Sequence, residues 1–158
     1  MSYLIVKNLQ TSGAVAKQSA LRTFTTQTAT TVSNTSATYV DTGLSLTLTP
    51  LSSSNRFLFF VTVPFSIGCN NAIIGGFRIL RNATETYGEG ASHGLNINYY
   101  HNERTTHQFS YVDSPATTSA ITYKVQFYVP TNVGSYDQTM TVCYLNMIAT
   151  MTIMEIAG

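Results

Sequence analysis

His101, Glu103 and His107 stand close enough in one stretch of this 158-residue chain to suggest a bound metal ion. Imidazole and carboxylate are ordinary zinc ligands. Their spacing matches no recognised ligand pattern, however, and a metal site also needs second-shell support for its ligands. The stretch therefore reads as polar loop residues that are solvated or touch another subunit, and no metal is expected. The seven acidic residues, Asp41, Glu85, Glu89, Glu103, Asp113, Asp137 and Glu155, are scattered. Two of them could meet in space as a glycosidase requires, but no motif supports such a pair. There is no Gly-rich phosphate loop, Ser-centred elbow or His-Glu metal helix. Neither an enzyme nor a cofactor is expected. Cys69 and Cys143 are too few and too far apart for a zinc or redox spacing. Cys143, in an apolar segment, reads as a plain buried thiol, and whether the two pair stays open. Tyr99 and Tyr100 have a better claim to recognition, because tyrosine gives large contact area at low entropy cost.

Composition narrows the partner. Charged residues make up 9% of the chain, against roughly 25% in ordinary soluble domains. Ser, Thr and Asn take their place, with ten Tyr, eight Phe and no Trp. A net charge of +1 gives no clustered basic face, so no nucleic-acid partner is expected. No apolar run reaches the ~18 residues of a membrane span. The opening Met1-Ser2-Tyr3-Leu4-Ile5-Val6-Lys7 lacks the pattern of a secretory leader. Near-zero charge is poor for colloidal solubility; such a surface suits an assembly better than a free monomer.

The elements that must position these residues are strands. Arg56 to Phe65 alternates with Phe57, Phe59, Val61, Val63 and Phe65 on one side, and Leu58, Phe60, Thr62 and Pro64 on the other. A strand with one wet face would alternate apolar and polar. Both faces here read as covered, one by an opposing sheet and the other by a further contact centred on Phe60. Thr23 to Val32 reads as a polar edge strand. Thr38–Asp41 and Leu44–Leu48 read as two short strands, with Leu44, Leu46 and Leu48 inward and a bulge or corner at Gly43. Ile73 to Leu80 follows, its Gly75-Gly76 marking either a bulge or a close approach of another backbone. A tight turn at Arg81–Thr84 leads into Glu85-Thr86-Tyr87, and a long irregular loop runs from Gly88 to Thr106. Further strands begin near His107, Ile121 and Thr139, and another runs from Thr150 to Ile156. No segment has a helical period. About eight to ten short strands with turns between them predict one all-β antiparallel sandwich of jelly-roll type over residues 21–158. Residues 1–20 read as an N-terminal arm whose apolar Tyr3, Leu4, Ile5 and Val6 dock on another surface.

Two segments carry a resemblance. Ser36-Ala37-Thr38-Tyr39-Val40-Asp41-Thr42-Gly43-Leu44-Ser45-Leu46-Thr47-Leu48-Thr49-Pro50 is followed by a Ser-rich turn and an aliphatic strand. Phe109-Ser110-Tyr111-Val112-Asp113-Ser114-Pro115 runs through Gln126 and precedes a terminal Met154-Glu155-Ile156-Ala157. This pattern resembles a β-sandwich module of tailed-bacteriophage virion structural proteins, cyanophages among them, found in tail-fibre tips and small capsid decoration proteins. The resemblance implies no catalysis and a homotrimer. Its partners would be further copies of itself and the major capsid protein or other virion subunits, with no nucleic acid and no membrane. The resemblance does not settle the place on the virion: the short stretch ahead of the module, with no shaft repeat, favours the capsid surface, and the Tyr-rich loop would favour the alternative, a tail-fibre tip binding the host. Tyr3, Leu4, Ile5, Val6, Phe60, Tyr99 and Tyr100 are the expected subunit or capsid contacts.

Overall fold

The computed structural model describes residues 20–68, 73–88, 95–97, 103–129 and 138–158. Among these, eleven strands pack as two antiparallel sheets, an all-β sandwich of jelly-roll type. In chain order they are β1 Ala20–Thr28, β2 Val32–Asn34, β3 Val40–Leu48, β4 Arg56–Gly68, β5 Ile73–Arg81 and β6 Thr84–Gly88. Then come β7 Leu95–Ile97, β8 Glu103–Asp113, β9 Ile121–Tyr128, β10 Thr139–Val142 and β11 Ala149–Ile156. The first sheet runs β1-β11-β4-β10-β2, with β8 on the far side of β4. The second runs β3-β9-β5-β6, with β7 also on β5.

β4 is the axis of the first sheet. On one side it pairs with β8 along eleven positions, Phe57↔Asp113 to Ile67↔Glu103. On the other it pairs with β11 up to Thr62↔Thr150, and with β10 from Phe65↔Val142. Pro64 sits where the partner changes. Its carbonyl accepts from the Cys143 N–H at 2.8 Å, on the side where an ordinary residue would also donate. The missing proline N–H therefore faces a gap between two strands, which is where a long central strand can hold a proline.

Phe57, Phe59, Val61, Val63, Phe65 and Ile67 are 0–2% exposed and meet Phe77, Ile79, Tyr123, Val125 and Phe127 of the second sheet. The Phe59 and Tyr123 rings meet edge to face at 4.8 Å, the geometry the ring quadrupoles favour. An added Cβ at Gly75 would stand 3.2 Å from the Tyr128 carbonyl oxygen and 3.5 Å from Met140 Sδ across the sandwich. That is the close approach, the second of the two readings of the Gly75-Gly76 pair.

Several expectations need correction. Residues 38–48 do not form two strands; β3 is one strand with a bulge. Register jumps from Asp41↔Gln126 to Ser45↔Lys124, so Thr42, Gly43 and Leu44 all oppose Val125. The bulge inserts two residues, which preserves the in-out alternation, and Leu44 and Leu48 stay buried. Thr42 Oγ1 closes the gap by donating to the Val125 carbonyl at 2.9 Å. Gly43 takes φ +90° there, and a Cβ would stand 3.1 Å from Thr28 Oγ1. Gly43→Ala is therefore expected to cost about 1–2 kcal/mol. Thermal unfolding should show a Tm lower by a few degrees; an unchanged or higher Tm would remove strain at this position from the account. The expected loop from Gly88 to Thr106 contains the short β7, and β8 begins at Glu103 rather than His107. The Asn82 turn is as expected: φ is +55° and Asn82 Oδ1 accepts from the Thr122 N–H at 3.0 Å.

Candidate surface for assembly

Two buried acids flank Phe57 of β4, one on each neighbouring strand. Asp113 of β8 and Glu155 of β11 are both cross-strand partners of Phe57. Asp113 receives Arg81 Nη1 at 3.0 and 3.1 Å and the Tyr123 hydroxyl at 2.6 Å. Burial, then the bond to Asp113, pushes the Tyr123 phenol far above its ordinary range. Glu155 is wholly buried. It accepts from Arg22 through Nε at 2.9 Å and through Nη2, from the Leu51 N–H at 2.7 Å and from Asn55 Nδ2 at 2.7 Å. Burial pushes the Glu155 carboxyl up. The bonds from Asn55, Leu51 and Arg22, with the Arg22 charge, outweigh it and hold the group below the usual carboxylate range. These acids are closed latches rather than a reactive pair. Sequence reading counted them as scattered; the available signal was an acid at the inward beat of Met151, Ile153, Glu155.

His107 does not lie in a loop. It is half-buried on β8, its ring stacked on Phe77 at 5.3 Å and 11°. Glu103 stands four residues away on the same face, about 13 Å along a strand, which is too far to share an ion with it. His101, Tyr99 and Tyr100 lie outside the described residues, as do Tyr3, Leu4, Ile5 and Val6. So does Cys69; Cys143 is a buried free thiol just after β10, and burial raises its pKa.

The two outer faces of the sandwich differ in chemistry. On the second sheet, Arg78 bridges Glu85 at 3.2 Å and Gln126 at 2.6 Å, and lies 3.8 Å over the Tyr39 ring. Gln126 donates to Asp41 at 2.6 Å, which Lys124 meets at 3.3 Å. This is a charged, solvated ladder. On the first sheet, Arg56 and Arg104 mark opposite ends of the outer face, and the positions between them are neutral. β1 and β11 present Thr23, Thr25, Gln27, Thr150 and Thr152, tied by Thr25–Thr152 and Gln27–Thr150 bonds at 3.2 and 3.3 Å. β8 presents Thr106, Gln108, Ser110 and Val112. At the centre stands Phe60, between Thr152 and Ser110 and 48% exposed, with half-buried Leu58 and Met154 and exposed Val112 beside it. Among the described residues of the single chain nothing covers the second face of β4 at Phe60, which opens to solvent.

A second apolar feature rises where β10 leaves this sheet. Tyr144–Asn146 form a short 3-10 turn that begins after Cys143. Cys143, Leu145 and Asn146 all have φ between +52° and +60°, uncommon for residues with a side chain and rare for a bulky one. The turn exposes Leu145, Met147 and Ile148. Arg104, on the outer face of β8, lies 4.6 Å over the Tyr144 ring and donates to its hydroxyl at 3.2 Å. That contact places the base of the turn on the same side of the sheet as Phe60.

No family model matches the chain, and no curated protein matches it. Among solved structures, its fold is similar to a mutant VP2 protein of infectious bursal disease virus in derived T=1 particles. That match has a TM-score of 0.50 and 13% identity, and covers 96% of this chain and 40% of the other. A crystal structure of the whole particle of the same virus matches with a TM-score of 0.50 and 11% identity, over 97% of this chain and 41% of that one. The likeness is one of fold, and this chain spans about two fifths of the length of those proteins.

Proposed function

We propose that this chain is a non-enzymatic virion structural protein. It is a homotrimeric decoration (cement) protein on the outer surface of a phage capsid, where it stabilises the shell. The observation that carries this reading is the sorting of charge between the two outer faces. A protein that lives free in solution distributes its charges; this one lines the second sheet with them and leaves the stretch of the first between Arg56 and Arg104 neutral, rich in hydroxyls and centred on an exposed Phe. Interface cores are depleted of charge and enriched in aromatic residues. The partners follow from this chemistry: other copies of the chain, and the major capsid protein or neighbouring virion subunits. The similarly folded chains come from viral particles, which supports a virion role.

A ring of three needs two different patches, because a cyclic trimer joins head to tail. Phe60 with its neighbours offers one, and Leu145, Met147 and Ile148 offer the other. Phe60→Asp is expected to leave the sandwich folded, since the side chain is half exposed, and to abolish association. Light scattering should give three times the 17.3 kDa chain mass for the native protein and a single chain for the variant. A native protein that stays monomeric at high concentration ends the trimer reading. Particles lacking the protein should also open at lower temperature than complete ones, since a ligand of the assembled shell stabilises it by mass action. Particles that keep full shell stability and fail to adsorb to cells would place the chain at an appendage tip instead.

A further inference from the structure

We propose that β8 is a docking edge for a second copy of this chain, added strand to strand about a two-fold axis. The inference does not depend on what the neutral outer face binds. Three observations carry it. First, β8 is the one edge strand left unguarded among the described residues. Natural edges are blunted by short length, bulges, Lys or Pro. β2 and β7 are three residues long, β3 carries the bulge at Gly43, β6 pairs across a register shift, and β1 shifts between Ala20 and Arg22. β8 runs eleven positions along β4 with no shift, no Lys and no Pro. Second, the direction of its main-chain groups is fixed by β4. The Pro64 carbonyl points at Cys143, away from β8. Its cross-strand partner Thr106, and every second residue from it, therefore make no main-chain bond to β4. Arg104, Thr106, Gln108, Ser110 and Val112 aim their N–H and C=O groups at the open edge. Third, the flank beneath that edge is aromatic. Phe109 and Tyr111 are half-buried, and Tyr87 of the facing β6 stacks on Phe109 at 5.1 Å and 7°. A strand added to β8 would cover them with its alternate side chains, as strand addition to a sheet edge does.

Nothing along β8 opposes a second copy of itself, and its charges choose the register. Of the antiparallel pairings that keep outer face beside outer face, the two with the greatest overlap centre on Gln108 and on Phe109. The first sets Glu103 against Asp113 of the other copy, acid against acid, which is destabilising. The second pairs residues 105–113 with themselves and leaves Glu103 and Arg104 beyond the ladder. Phe109 then meets Phe109, His107 meets Tyr111, Gln108 meets Ser110 and Thr106 meets Val112. The last two pairs, each occurring twice, supply about eight main-chain hydrogen bonds. A contact of nine residues a side is well short of the roughly 20–30 of a standard interface. It therefore links copies already crowded together and is weak in dilute solution. The two Phe60 rings would stand in one continuous sheet, three strand spacings or about 14 Å apart, which doubles the neutral face.

Gln108→Pro removes an N–H that faces the open edge and leaves the β4 ladder whole. Its Tm should match that of the native chain within a few degrees, while pairing through β8 is lost. Phe60→Asp, a single chain when dilute, should still form pairs of twice the 17.3 kDa chain mass when concentrated. Phe60→Asp/Gln108→Pro should stay single. Crosslinking reads the register. In a Cys69→Ser background, with Cys143 buried, Gln108→Cys mixed with Ser110→Cys should form disulfide-linked pairs about tenfold faster than either variant alone. Only the mixed pair stands directly opposite, and diagonal positions lie beyond disulfide reach. Three results overturn the proposal: pairing that Gln108→Pro leaves intact, a mixture that links no faster than its components, or a concentrated Phe60→Asp that never pairs. The last would leave the edge to a strand of another virion subunit. If Phe60→Asp keeps the association of the native protein, the reading of the outer face fails, and the mixed cysteines alone judge the edge.

Discussion

Phe59→Ala is expected to lower the unfolding free energy by about 4 kcal/mol, while Phe60→Ala, one residue along, changes it by no more than about 0.5 kcal/mol in the monomer. The Phe59 ring is fully buried, edge-on to Tyr123 at 4.8 Å and 6.0 Å from Tyr111. Its removal takes away a large aromatic side chain at the centre of the inner face and leaves a cavity between two sheets that cannot slide together. Phe60 points the other way and is half exposed, so its removal opens no cavity. For a domain of this size about 4 kcal/mol corresponds to a Tm lower by roughly 8–16 °C. Melting both variants in dilute solution by circular dichroism checks the pair. Equal losses would mean that the outer face is covered even in the single chain.

Acidification should unlock one end of the sandwich through Glu155. Its carboxyl binds protons more weakly in the folded chain than when unfolded. The stability it contributes is therefore fully present above the ordinary carboxylate value near ~4.3. It is lost as pH falls through the lower folded value. Protonation leaves Arg22, Asn55 and the Leu51 N–H facing a neutral group, and these residues tie β1 and the turn before β4 to β11. Glu155→Gln should cost about 3 kcal/mol at neutral pH, because the amide N–H₂ confronts donors and the Arg22 charge loses its partner. Melting curves taken from neutral pH down to about pH 3 should fall more steeply for the native chain than for Glu155→Gln. Parallel curves would assign acid sensitivity to other groups.

Much of the fold was legible because alternation is a local signal. Phe57, Phe59, Val61, Val63 and Phe65 face the core as their spacing dictates, and so do Ile121, Tyr123, Val125 and Phe127. The Asn82 turn was readable from the conformational tolerance of asparagine. The order of the strands was not readable. Nothing near Ile153 records that it will lie between Phe24 and Phe59, because that pairing joins residues more than ninety positions apart. The bulge at Gly43 was readable from the glycine, but its size was not: an insertion of two residues leaves the in-out pattern unbroken, so β3 read as two strands. At the candidate surface, Phe60 was visible as an apolar residue on the wrong face for a wet strand. The charged ladder on the opposite face appeared only once Arg78, Gln126, Asp41 and Lys124 stood side by side. Glu155 was misread because an isolated acid carries no trace of its distant arginine.

The place of β11, between β1 and β4, has a consequence for the life of the chain on the ribosome. β1 is made early, yet its hydrogen-bonding partner begins at Ala149. At about 5–20 residues per second, the wait between Thr28 and Ala149 is roughly 6–24 s. Throughout that interval β1 has no neighbour in its sheet, and the flank of β4 from Arg56 to Thr62 is bare. The second sheet can form in the meantime, since β3, β5, β6 and β9 are complete by Tyr128. The nascent protein thus holds the second sheet and the β4–β8 pair, while the flank of β4 that faces β11 waits for its partner. Closure comes as one late event, when the strand that follows all the others slides in beside the first.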